Sequence, residues 1–276
     1  MATAAASPQN PAVALRQRPS ISELTPDQLK EFRAAVADMQ AITDERGYQF
    51  FAGLHGLPLP AWCDRFAHGL PMFVHWHRAY LWRFELALRQ NGKFDVSLPW
   101  WDWINDRDLP AAYADEQTPE GDPNPLYSVR INDLALQQGA QAQRPRTQFL
   151  SQIPDTFREP GGTDLPTADD IAQVFSFKDF PGFSNELEAW HGQVHVWVGG
   201  HMTDVPFAAY DPIFWAHHTM IDRLWRIWQV DNHGASLPRN LSEVVMQPFG
   251  VTAAGTVEPN ALGYDYALSA TNIPVG

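Results

Sequence analysis

The sequence predicts a mainly α fold with long loops and few short strands. Three observations carry that expectation: apolar residues recur at three- and four-residue intervals, helix-start residues precede several of those runs, and most histidines fall inside or beside them. The first 20 residues, rich in Ala and Pro, read as a flexible tail, with Leu15 and Arg16 to Arg18 placed to dock on a body that starts near Ser22. Thr25, Pro26 and Gln28 supply an N-cap, a first-turn proline and a capping-box partner for a helix to about Ile42, with the stripe Leu29, Phe32, Val36 and Met39. A short second helix, about Glu45 to His55, puts Tyr48 and Phe51 on the face of His55.

A third helix is expected from Trp76 to Gln90, where strong helix formers surround Leu81, Phe84 and Leu88 and His77 falls in the first turn. Residues 99–166 read as an irregular excursion with one short helix near Ile131 to Gln138. Helix returns at about 185–197 and 212–230, and the last 40 residues are loop-like with short strands. No repeat is visible, and one domain over residues 21–276 accommodates the chain.

Composition narrows the function. A net charge of −13 argues against a nucleic-acid partner. No stretch approaches the ~18 apolar residues of a membrane span, and the N-terminus lacks a signal-like apolar core, so a soluble cytoplasmic protein is expected. Cys63 is the sole cysteine, which excludes an internal disulfide and thiolate-rich metal sites. With 11 Trp and 16 Phe, rigid packing around a site needs no disulfide.

The histidines carry the chemistry. His191 and His195 in WHGQVHVW stand four apart, so on a helix both rings reach one point, and a third ligand from the DPIFWAHHTMIDRLW segment closes a metal site. A zinc hydrolase of the HExxH kind is disfavoured because Gly192 occupies the position of its general base. Glu188 and His191 make one ExxH pair, but a carboxylate-bridged di-iron bundle needs a second. Imidazole ligands alone suit a copper pair that binds dioxygen. Between His217 and His218, periodicity favours the second. Phe214, His218, Ile221, Asp222 and Trp225 share a helical face, and His217 is rotated about 100° from it.

These segments resemble the type 3 copper proteins: tyrosinases, catechol oxidases and hemocyanins. HGLPMFVHWHRAYLWRFE is similar to the family's first copper motif, which makes His68 and His77 ligands and His55 the upstream third; HGQVHVWVGGHM with DPIFWAHHTMIDRLW is similar to the second, with His191, His195 and His218. LPWWDW at 98–103 is close to the family's LPYWDW signature. The resemblance implies a four-helix bundle housing two copper ions, with dioxygen and a phenol as substrates, and oxidation of o-diphenols or o-aminophenols to quinones. Monophenol hydroxylation is the tyrosinase variant, and a dioxygen carrier is the alternative. It leaves room for a copper-delivery protein and does not determine the oligomeric state.

Further roles follow from the resemblance. Glu188 would order a water that accepts a phenolic proton. Gly192 stands where hydroxylating members carry Asn, so that water would be held less firmly; Thr203 would tune the mouth of the site. His217 is expected beside the ligands, and Asp222 is expected either to support the imidazoles or to pair with Arg78 or Arg223. His75 and His201 are assigned no metal. Cys63 lacks the CxH spacing of the family's thioether to His68, so no such link is expected; pairing with His55 stays open.

Overall fold

The computed structural model describes residues 15–68, 71–92, 94–232, 237 and 239–268. Its helices are α1 (Pro26–Ala41), α2 (Tyr48–His55), α3 (Trp62–Phe66), α4 (Phe73–Gly92), α5 (Ala111–Ala114), α6 (Asp133–Ala140), α7 (Pro145–Leu150), α8 (Ala168–Ser176), α9 (Phe180–Val198), α10 (Val205–Ala208) and α11 (Ile213–Asp231). Four short strands accompany them: β1 (Arg16–Arg18), β2 (Val245–Met246), β3 (Val251–Thr252) and β4 (Tyr264–Tyr266). The mainly α expectation holds, and α2, α4, α9 and α11 are the bundle helices that carry the histidines.

Local signals account for several helix starts. Thr25 accepts from the Gln28 amide while the Gln28 side chain accepts from the Thr25 amide, the capping box expected for α1. Helix α9 begins five residues before the expected Asn185. Asp179 caps it by accepting from the Gly182 amide, and Pro181 sits in its first turn. Helix α8 was not anticipated, although its capping box, Thr167 with Asp170, is visible in the sequence.

The excursion at 99–166 contains three short helices where one was expected. Long-range polar anchors hold it. Asn124 is buried, donates to the Ala112 and Asp115 carbonyls and accepts from Arg33, while Arg158 pairs with buried Asp211 at 2.6 Å. Hydrophobic periodicity cannot report such anchors. The LPWWDW segment drives Trp101 and Trp103 into the core, and the Trp101 amide donates to the Ala216 carbonyl of α11.

Helices α4 and α11 form the centre. Phe84 stacks on Trp215 with centroids 3.5 Å apart and planes within 6°, and Tyr80 donates to the Phe51 carbonyl at 2.6 Å, tying α2 to α4. Helix α11 is buried nearly all round, which is the burial pattern of a central helix and explains its continuous apolar and aromatic run.

Strand β1 pairs in parallel with β4, Arg16 opposite Tyr264 and Arg18 opposite Tyr266. The body therefore begins by Arg16, ahead of the expected Ser22; residues 1–14, the rest of the expected tail, lie outside the described residues. Arg18 is buried, and its guanidinium bonds Glu85 at 2.8 Å and Asp222 at 3.1 Å. No described helix is long and apolar enough to cross a membrane.

Candidate metal centre

Two groups of side chains converge where α2, α4, α9 and α11 meet. His55, Cys63, His68 and His77 form one, and His191, His195, His217 and His218 form the other; within each group the ligand-type atoms lie within 4.8 Å of one another. The groups adjoin. His77 stacks on His218 with centroids 4.3 Å apart, and His68 on His191 at 5.6 Å.

Hydrogen bonds aim the rings. In the first group, Nδ1 of His55 donates to the Val205 carbonyl at 3.0 Å, Nδ1 of His77 to the Phe73 carbonyl at 2.9 Å, and Nδ1 of His68 to Glu188 Oε1 at 3.1 Å. In the second, His195 donates to the Met202 carbonyl at 2.8 Å and His191 to the Glu188 carbonyl at 3.3 Å. A ring that donates through Nδ1 and stays neutral presents a lone pair at Nε2, the form a metal accepts. Burial, with neighbouring imidazoles adding to it, holds His55, His77, His191 and His218 well below the ordinary histidine range; burial also lowers His195 to about 4. All five are neutral at pH 7.

The residues present fit a metal in each group. Nε2 of His218 lies 3.2 Å from Nε2 of both His191 and His195. Nitrogens around one ion with bonds of ~2.0–2.1 Å sit roughly 3.3 Å apart in tetrahedral geometry. His55 Nε2 and His68 Nε2 are buried and make no hydrogen bond, the orphaned state that a bound ion would relieve. Two groups of imidazole donors, one with a thiol beside it and neither with a carboxylate, suit copper over magnesium or calcium.

The structure also sorts the expected residues. His218 converges with His191 and His195, whereas His217 lies flat against His191, centroids 5.2 Å apart and planes within 12°. Glu188 does more than line the site: its carboxylate holds His68 and its main-chain carbonyl holds His191, one ligand from each group. Gly192 and Thr203 both line a cavity of about 290 Å3 whose floor includes His55, His68, His191 and His195. A Cβ on Gly192 would touch nothing within 4 Å.

Asp222 takes the second of its two expected roles. It is hydrogen-bonded to no imidazole and instead pairs with Arg78 at 2.5 Å and Arg18 at 3.1 Å and accepts from Tyr264 and Tyr266 at 2.7 and 2.6 Å. Burial alone would raise its pKa, but the two guanidiniums and the tyrosine hydroxyls outweigh it and hold the carboxyl below its usual range. Of its two expected cationic partners, Arg78 is the one engaged; Arg223 stacks on Trp100 instead, 4.2 Å from the ring centroid.

Cys63, for which the sequence left only a pairing with His55 open, lies against a different ligand. Helix α3 brings its buried sulfur to 3.5 Å from His77 Nε2. Its position one short helix before His68 was the available signal, and chain proximity alone does not say which way a thiol points. His75 and His201 stand apart from both groups, His75 bonded to Thr256 at 2.8 Å and His201 accepting from the Phe157 amide at 3.3 Å.

The turn after α9 shapes the cavity wall. Gly199 and Gly200 have φ of +77° and +52°, and a Cβ on Gly200 would sit 1.8 Å from the Phe157 carbonyl oxygen, so glycine is required there. That turn swings Met202 and Thr203 over the histidines.

The model of the common central domain of tyrosinase matches residues 45–231, a span that contains all six histidines of the two converging sets. The chain belongs to the tyrosinase family of type 3 copper proteins. Its cofactors are two copper ions per chain, one for each histidine group. The tyrosinase of Streptomyces lincolnensis is 34% identical over 77% of this chain and 82% of its own length. A G-type hemocyanin of Enteroctopus dofleini is 31% identical over 90% of this chain but 9% of that far longer protein. The chain spans only 9%, 21% and 39% of three such hemocyanins. Among solved structures, a functional unit of octopus hemocyanin superposes with a TM-score of 0.73 at 29% identity, covering 91% of this chain and 68% of that one. A mushroom tyrosinase reaches 0.76, covering 93% and 90%; at 19% identity it supports the shared fold alone. The chain thus contains a type 3 copper domain.

Proposed function

We propose that this tyrosinase-family protein oxidises o-diphenols, and by the same chemistry o-aminophenols, to o-quinone-type products with dioxygen. The observation that carries this reading is the cavity over the histidines. It is lined by histidines of both groups, is walled by apolar Val196, Met202 and Val205, and extends to Val196, which is 46% exposed. A planar phenol needs such an opening, and a reversible dioxygen carrier has no use for one. The extensive match to a Streptomyces tyrosinase over most of both chains supports the same reading.

The balance is simple. Two catechols each lose two electrons and two protons, and one dioxygen becomes two waters. The bound copper pair supplies dioxygen binding and the path for electrons. The chain's own residues do the rest. Six imidazoles, five of them oriented by hydrogen bonds, fix the donor geometry. Glu188 is the carboxylate in the cavity wall and receives the phenolic proton directly or through a water. Gly192 leaves the wall open beside it, so the water that helps deprotonate a monophenol lacks an amide anchor, and diphenols are the preferred substrates.

Turnover of the copper-loaded protein with catechol, o-aminophenol and tyrosine tests this. Quinone formation with one dioxygen consumed per two catechols is expected, with tyrosine the poorest substrate. Reversible dioxygen uptake without quinone formation would assign the protein to the carrier class instead.

A further inference from the structure

We infer that the cavity selects phenols bearing an anionic substituent, a carboxylate on or near the ring, and that Arg146 receives it. This rests on the phenol-oxidising reading above. Arg146 stands in the first turn of α7, and its side chain is exposed to solvent. Its Nε donates to Thr203 Oγ1 at 3.0 Å and its Nη2 to the Gly200 carbonyl at 3.1 Å. Both acceptors belong to the turn that forms one wall of the cavity, and Thr203 itself lines it. The guanidinium is therefore fixed at the rim by two bonds and does not sweep through solvent.

Its partners are neutral. Arg146 makes no ion pair among the described residues, although the chain carries 32 acidic side chains against 19 basic ones. Asp204 feels the charges of Arg144 and Arg146, but it is itself buried and accepts at Oδ1 from the Thr147 hydroxyl at 3.0 Å. A guanidinium has five N–H donors, and the two bonds to the turn leave Nη1 available for a carboxylate. The Glu188 carboxylate thus lines the cavity near the histidine floor, and a guanidinium is bonded to Thr203 of its wall. An aromatic acid lies in that field with its phenolic end toward the histidines and its anionic end toward Arg146. In a protein of net charge −13, an anionic substrate is otherwise repelled, so a local cation has a large effect on selection.

Steady-state kinetics of the copper-loaded protein with catechol, 4-methylcatechol, 3,4-dihydroxybenzoate and 3-(3,4-dihydroxyphenyl)propionate test the inference. At least one of the two acids should show a higher kcat/KM than the neutral catechols, and added salt should erode that advantage. Arg146→Gln should lower the ratio of kcat/KM for that acid to kcat/KM for catechol by roughly tenfold, the equivalent of one charge-assisted hydrogen bond. Arg146→Lys should restore most of the ratio. A merely structural role in bracing the Gly200 turn would move acids and neutral catechols together, and that result overturns the inference, as does a ratio insensitive to the substitution. Failure of the neutral catechols to turn over at all would instead overturn the oxidase reading on which the inference stands.

Discussion

The two histidine groups reach similar chemistry by different construction. His191, His195 and His218 come from two long helices, α9 and α11, and their Nε2 atoms lie within hydrogen-bond distance of a common member. His55, His68 and His77 come from the last residue of α2, the turn after α3 and the second turn of α4. His68 is the most exposed of the six, with a side chain 22% accessible, and a side-chain carboxylate orients it where main-chain carbonyls orient the four other anchored rings. Main-chain supports survive any side-chain substitution. The second copper site is thus preformed by helix geometry, and the first depends on a replaceable group, Glu188, and has a thiol beside it.

That contrast can be broken at several points. The largest effect is expected from His218→Ala, which removes the nitrogen shared by both close contacts of the second group; metal analysis should find one copper per chain in place of two, and retention of both would refute the assignment of His218 over His217. Next is Asp222→Ala, which takes the carboxylate from the buried Arg78 guanidinium, leaves Arg18 with Glu85, and should cost about 3–5 kcal/mol in urea unfolding. The pH dependence has a definite sign. Because the folded-state pKa of Asp222 is depressed, its stabilisation is present above the unfolded carboxylate value of about 3.9 and is lost as pH falls through the lower folded value. Acid unfolding of the wild type should therefore carry a component missing from Asp222→Asn.

Glu188→Gln sharpens the comparison directly. Competition with a chelator should show copper affinity at the first site falling by about 10- to 100-fold, with the second site shifted less because its His191 is held by the main chain at the same residue. Equal weakening of both sites would mean that the two groups are not built differently. The smallest effect is expected from Gly192→Asn. The open space there should keep the change in unfolding free energy within about 0.5 kcal/mol, while the ratio of monophenol to diphenol turnover rises. An unchanged ratio would discard the water-anchoring role assigned to this position.

Much of the bundle was legible because helix signals are local. The α1 capping box, the four-residue spacing of His191 and His195 and the face of α11 all follow from neighbours within a turn or two. Those same rules missed α8 and the start of α9, although a capping residue precedes each of them in the sequence. In the stretch at 99–166 order comes from Asn124 and Arg158, whose partners lie up to 91 residues away and leave no periodic trace.

By itself, then, the order of residues gave the His191 and His195 pair through helical spacing, a preference for copper through residue type, and the full ligand set through the resemblance to the type 3 copper proteins. Tertiary structure brought His218 to both His191 and His195 and laid His217 flat against His191, placed Asp222 in an ion cluster closed by residues 42 to 204 positions away, and set Cys63 and Arg146 beside the site. The physical reason is range. Backbone hydrogen bonding repeats every few residues and is written locally, whereas the meeting of separate helices, turns and strands is settled by burying one shared core.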